Sequence, residues 1–158
     1  MDPETATPAT LTAATPRLKV SLEDSGPFLR AAGLVFDEIS AARVTGHLEL
    51  GSEHHTPWGV VHGGVYATAV ETAASVGASI AVRDQGQVAL GLTNTTHFLR
   101  AVTVGRVNVE ATALSQGRTQ QLWQVSITRL RDGKLVARGQ LRLQNLPLPD
   151  DSSEGPSH

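Results

Sequence analysis

Val60-Val61-His62-Gly63-Gly64-Val65-Tyr66 runs directly into Ala67-Thr68-Ala69-Val70-Glu71, and the Ala-rich, apolar run continues to about Val82. Apolar residues at Val65, Ala69, Ala73, Val76 and Ile80 recur every three or four positions, the period of a helix with one buried face. Glu71 sits inside this helix as a lone carboxylate. Burying a carboxylate without partners is costly or raises its pKa, so Glu71 requires hydrogen-bond donors, a wet cleft or a chemical task. Gly63 and Gly64 lie where the helix begins. Without Cβ atoms they let a ligand approach N–H groups that lack intrahelical partners, an arrangement that favours an anion or a developing oxyanion.

Working outward, residues 51–63 form a polar loop containing Gly51, Ser52, His54, His55, Pro57 and Gly59. Before it, Ala42–Leu50 alternates Val44, Leu48 and Leu50 against Arg43, Thr45, His47 and Glu49, which predicts a strand. Leu34–Ile39 predicts a shorter strand and Phe28–Ala32 a helical turn. Beyond Asp84-Gln85-Gly86 four strands are expected, Val88–Phe98, Gly105–Ser115, Thr119–Leu130 and Leu135–Asn145, the last two joined by an Arg131-Asp132-Gly133-Lys134 hairpin turn. Two strands, one long helix and four strands predict an α+β layer, an antiparallel sheet whose apolar face the helix covers. The alternation of strands and helices that a parallel sheet requires is missing. Residues 1–20 and 147–158 are rich in Ala, Thr, Pro, Ser or acids and are expected to be disordered tails, leaving 21–146 as one domain.

At 158 residues and 16.7 kDa the chain has room for one ordinary core. A net charge of −2 excludes a globally basic nucleic-acid binder. No cysteine is present, which removes thiolate nucleophiles, disulfides and Cys-ligated zinc. The N-terminus lacks the basic start and apolar core of a signal peptide, and no apolar run is expected to be long enough to cross a bilayer. The expectation is therefore a cytoplasmic protein with neither nucleic acid nor membrane as partner. Residues 85–149 hold eight Lys/Arg against two Asp/Glu. Arg138, Gln140, Arg142 and Gln144 alternate with Ala137, Gly139, Leu141 and Leu143, as on a solvated strand face; the sharper alternative is a site for a phosphate-rich ligand. His54 and His55 are adjacent but have no third ligand at metal-site spacing, so no metal is expected.

The His62-Gly63-Gly64 loop, a Glu seven residues after Gly64 on the central helix, and this order of elements together resemble the hotdog-fold acyl-CoA thioesterases, in particular the phenylacetate-pathway and Arthrobacter-type 4-hydroxybenzoyl-CoA thioesterase group. The resemblance covers about residues 30–146. It implies a hotdog fold, one long central helix wrapped by a curved antiparallel sheet of five to six strands, and hydrolysis of an acyl-CoA thioester, with coenzyme A as part of the substrate and no separate cofactor. It also implies a homo-oligomer, at least a dimer and in this family a tetramer of two dimers. The segments Asn94–Arg100 and Gly117-Arg118-Thr119 look like the family's coenzyme A-binding stretches, which makes Arg100, Arg118, Thr119 and Asn94 the candidate contacts.

Geometry constrains the implied roles. Eight residues of helix separate Gly63 from Glu71, about 12 Å at about 1.5 Å per residue, too far for both to touch one thioester group. One subunit cannot complete such a site. In the resembling enzymes two helices lie side by side, so that the Gly63 N–H of one chain meets the Glu71 carboxylate of the other. Glu71 would then act as general base or nucleophile, and Gly63 with Gly64 would form the oxyanion turn. Ser75 lies one turn beyond Glu71 and would hold water or serve as a small packing residue. His62 would bond a loop carbonyl or contact substrate. Thr56 stands where the resembling enzymes carry Gln or Asn, and the neighbouring His55 is a possible substitute. Trp58 and Tyr66 are candidates for an acyl pocket or an interface. Two rival functions share the fold: a non-catalytic acyl-CoA binder, favoured if Glu71 is ion-paired or fully buried, and a hydratase, which needs a His that the helix lacks.

Overall fold

A computed structural model describes residues 26–148. The short helix α1 (Pro27–Ala32) precedes strands β1 (Val35–Ile39) and β2 (Arg43–Leu50). The long helix α2 (Gly63–Val82) follows, and then β3 (Gln87–Phe98), β4 (Gly105–Gln116), β5 (Gln120–Arg129) and β6 (Leu135–Pro147). The strands form one sheet in the order β1-β2-β4-β5-β6-β3, antiparallel throughout. Every expected element is present. The last strand runs two residues further than the alternation indicated, and the Leu148 N–H donates to Gly86 O (2.9 Å), so the domain extends past residue 146. The tail expected at 1–20, and residues 149–158 of the one expected at 147–158, lie outside the described residues.

The sheet's inward face carries Val44, Leu48, Val107, Val109, Trp123, Val125, Ile127, Leu141 and Leu143, all buried, and α2 lies across it. Arg138, Gln140 and Arg142 are exposed on the opposite face, the solvated-face reading of that alternation. Register shifts between Gly91 and Thr93 and between Ala113 and Ser115 mark β-bulges, which bend and twist strands and help a sheet wrap around a helix.

The buried residues of α2 are Tyr66, Ala69, Val70, Ala73, Ala74, Gly77, Ala78, Ser79 and Val82. Val65, Val76 and Ile80, expected on the buried face, are only half-buried. The reason is steric. Small residues let the helix come closest to the sheet, and Trp123 fills the space at Gly77, where a Cβ would lie 2.5 Å from the indole Cη2. The larger aliphatics are thereby left on the flanks of the helix.

Gly63–Gln85, comprising α2 and the 3₁₀ turn after it, is long and apolar enough by length and composition to cross a membrane, contrary to the reading of the sequence. Half of its most apolar window is buried within the domain. Packing on the sheet accounts for that apolarity.

Candidate active site

The loop before α2 is held by its own backbone. His54 is buried, accepts the Gly51 N–H on Nδ1 (3.2 Å), and its carbonyl accepts the His62 N–H (2.8 Å). His55 Nε2 donates to Thr103 O (2.6 Å), so the two adjacent histidines serve different local partners. Thr56 closes a turn, its N–H donating to Val60 O (2.7 Å) and its carbonyl accepting from Gly59 (3.0 Å), while its hydroxyl accepts the Trp58 N–H (3.3 Å). Gly59 occupies positive φ (+76°), which a side chain would strain. The Val61 N–H to Val102 O bond (2.8 Å) ties the end of the loop to the chain after β3.

His62 is the N-cap of α2. Its Nδ1 accepts the Gly64 N–H (2.8 Å) and its carbonyl accepts the Val65 N–H (3.0 Å). Two of the helix's orphan donors are satisfied in this way. The Gly63 N–H makes no hydrogen bond among the described residues. The expected pair of glycine donors thus divides: Gly64 N–H is spent on the cap, and Gly63 N–H has no intramolecular partner among the described residues. The His62 ring shapes the turn through a backbone N–H, where a carbonyl partner had been expected. Phe98 lies against Gly63, at 2.8 Å from the position of an added Cβ.

Glu71 is half-buried on the side of α2 that faces β3. A Cβ on Gly91 would overlap its Oε1, so the carboxylate rests on bare glycine backbone. Asn94 Nδ2 donates to Glu71 Oε2 (3.2 Å) and to Ala67 O (3.0 Å). Asn94, expected at coenzyme A, is therefore engaged with the Glu71 carboxylate. No ion pair to Glu71 is present among the described residues. Ser75, one turn on, is half-buried.

The coenzyme A candidates do not converge within one chain. Arg100 donates to Leu135 O (2.6 Å) at the start of β6. Asn145, near the end of β6, holds the carbonyls of Arg118 (3.2 Å, from Nδ2) and Thr119 (2.8 Å, from the backbone N–H). Ten residues of strand, roughly 33 Å at about 3.3 Å each, separate the two anchor points. Arg100 lies at the Phe98 and Gly63 end of the sheet, and Arg118 at the other.

An apolar groove of about 610 Å³ opens beside the α2 N-terminus, lined by Phe28, Ala31 and Ala32 of α1, by His54, His55 and His62, and by Gly64, Val65 and Thr68 among others. Neither aromatic expected in a pocket lines it. Trp58 is 85% exposed, and Tyr66 is buried in the core, its ring 6.3 Å from that of Phe98 and its hydroxyl without a hydrogen-bond partner among the described residues. Burial pushes the Tyr66 phenol up to about 12, with the Arg129 charge opposing. Reading the sequence missed Phe28 and α1 as a groove wall and Gly91 as the floor under Glu71. A lone Gly inside a strand pattern is the one available signal for the latter.

One long helix laid across a six-stranded antiparallel sheet, with a free donor at its first residue and a carboxylate two turns on, defines a hotdog-fold protein. Residues 59–136 match the model of the thioesterase superfamily. A Mycobacterium tuberculosis protein provisionally named an esterase is 40% identical over 122 residues, 76% of this chain and 86% of that protein. Its solved structure superposes with a TM-score of 0.75 at 38% identity, covering 79% of this chain and 100% of the other. The 1,4-dihydroxy-2-naphthoyl-CoA thioesterase 2 of Arabidopsis thaliana is 38% identical over 136 residues, 81% of this chain and 85% of that protein. AziG of S. sahachiroi superposes with a TM-score of 0.74 at 37% identity, covering 78% and 98%. The chain belongs to the thioesterase superfamily.

Proposed function

We propose that the protein hydrolyses an acyl-CoA thioester to free acid and coenzyme A in a site shared between two subunits. The observation that carries this reading is the division of labour at α2. One N–H is left unspent at the helix start, where the helix dipole adds positive potential, and a carboxylate without an ion pair follows about 12 Å further on. The thioester oxygen would accept the Gly63 N–H as the tetrahedral intermediate forms. Glu71 of the opposite chain would remove a proton from water as it adds to the carbonyl carbon, or would itself add and form an anhydride that water then cleaves. Collapse of the intermediate breaks the C–S bond, and the coenzyme A thiolate leaves.

Three further features support a dimer. β3 is an edge strand of twelve residues, with Leu90 and Leu92 each about half exposed, the kind of edge that another strand pairs with. Ala67 and Ser75, one turn either side of Glu71 on the same flank of α2, remain half-buried and are small enough to admit a second helix. Arg100 lies at the Gly63 end of the sheet and Arg118 toward the end where α2 finishes, so two chains packed antiparallel would put one chain's Arg100 on the same side as the partner's Arg118. A tetramer of two such dimers, a cytoplasmic location and phosphate contacts from Arg100, Arg118 and Thr119 complete the reading. The acyl group would occupy the groove beside Gly64.

A panel of acyl-CoA esters assayed for thiol release, with Glu71→Gln beside the wild type, tests the chemistry. Loss of about a hundredfold or more in kcat with KM within a few-fold is expected. Wild-type turnover by Glu71→Gln would refute the mechanism. The sharing of the site is tested by mixing Glu71→Gln subunits with Gly63→Pro subunits, because only a two-chain site regains activity in the heterodimer.

A further inference from the structure

We infer that Asn94 is the positioning residue of Glu71, turning the carboxylate so that Oε2 is held and Oε1 is left for the reaction; the inference rests on the role of Glu71 proposed above. The amide orientation is set by the chain. Thr96 Oγ1 donates to Asn94 Oδ1 (2.7 Å), which leaves Nδ2 to face the helix. Its two hydrogens are both used, one on Ala67 O (3.0 Å) and one on Glu71 Oε2 (3.2 Å). Ala67 is one turn before Glu71, so Asn94 grips the backbone and the carboxylate of the same helical segment. Thr96 is itself confined. It pairs with Gly139 across β3 and β6, where a Cβ would reach Thr96 Oγ1 at 2.9 Å and Val70 Cγ1 at 2.7 Å.

The consequence is chemical as well as steric. A donor on the charged form stabilises the carboxylate, and Asn94 is the one side chain bonded to it among the described residues. No Lys, Arg or His pairs with Glu71 from any strand packed on α2, and Gly91 beneath it contributes no charge. Oε1 accepts no hydrogen bond among the described residues and lies over the bare Gly91 backbone, at the open β3 edge where a second subunit would sit. A carboxylate with one fixed and one unengaged oxygen is preorganised for proton removal or for addition.

The test uses Asn94→Ala, Asn94→Asp and Thr96→Val in the full chain. Two measurements are made: steady-state hydrolysis of acetyl-CoA and benzoyl-CoA across pH, and titration of the Glu71 carboxyl carbon by NMR in protein labelled at the glutamate side chains. Asn94→Ala should lower kcat about tenfold or more while KM stays within about threefold, because orientation is lost and ground-state binding is not. Asn94→Asp should move the acidic limb of kcat/KM, and with it the transition of the carboxyl signal, to higher pH than in the wild type, since a second carboxylate faces the first. Thr96→Val should move both readouts in the same direction and less far. A higher KM with unchanged kcat in Asn94→Ala would make Asn94 a coenzyme A contact and overturn the inference. So would a Glu71 titration that is the same in wild type and Asn94→Asp. The titration needs no turnover: if the wild type cleaves no acyl-CoA, the proposed function falls, while the carboxyl signal still decides the Asn94 contact.

Discussion

Replacing Gly63 by proline removes the proposed oxyanion donor and little else. Gly63 is the first residue of α2, the helical position that proline favours because its missing N–H is an orphan there. His62 already has φ −66° and ψ 133°, within the range that a following proline imposes. No intramolecular hydrogen bond is lost, because the Gly63 N–H makes none among the described residues. The one conflict is with Phe98, whose ring atoms lie 2.8 Å from the position of an added Cβ; that side chain is 57% exposed and has room to turn. Gly63→Ala introduces the same Cβ and keeps the N–H, so the ratio of the two variants isolates the donor from the steric effect. Removing one preorganised donor costs about 2.7–4 kcal/mol of transition-state stabilisation, a fall of about 10²–10³ in kcat. The expectation is that Gly63→Pro loses this much relative to Gly63→Ala in a thiol-release assay, with both unfolding in urea at similar midpoints. Equal kcat in the two variants would refute the assignment of the Gly63 N–H as oxyanion donor.

Three further expectations come from other parts of the molecule. Gly77→Ala should destabilise: helix propensity favours Ala by about 1 kcal/mol, but a Cβ 2.5 Å from buried Trp123 costs about 1–3 kcal/mol by overpacking, so urea unfolding should show a net loss, and a gain would contradict the close helix–sheet contact. Tyr66 is the single tyrosine, so phenolate absorbance reports it directly, and its titration should be centred well above 10. Since the folded-state pKa is the raised one, the linked stability is intact below about pH 10 and is lost as pH climbs through about 12; Tyr66→Phe should abolish that slope and be neutral to stabilising at pH 7, where it deletes a buried hydroxyl with no partner among the described residues. Arg118→Ala should raise KM for acyl-CoA several-fold with a smaller effect on kcat, because a phosphate remote from the carbonyl is held about equally in ground and transition states. A change confined to kcat would remove Arg118 from the coenzyme A site.

The sequence by itself determined the order of elements and the antiparallel α+β class, and it singled out the two residues around which the proposed site is built. Each of these has a local signature: period-two alternation in the strands, a near-3.6 period from Val65 to Val82, paired glycines at a helix start, and one carboxylate in an apolar run. The tertiary structure decided which face of α2 is buried. In an Ala-rich helix several faces are apolar, and the choice fell to the small residues that admit Trp123 beneath Gly77. It also decided which glycine keeps its N–H, through the rotamer of the His62 ring on Gly64, and what Asn94 touches, 23 residues from Glu71 in the chain. Contacts of that kind depend on strand register and on how the helix sits over the sheet. Both are set by packing of the whole domain, and neither leaves a periodic trace in the sequence.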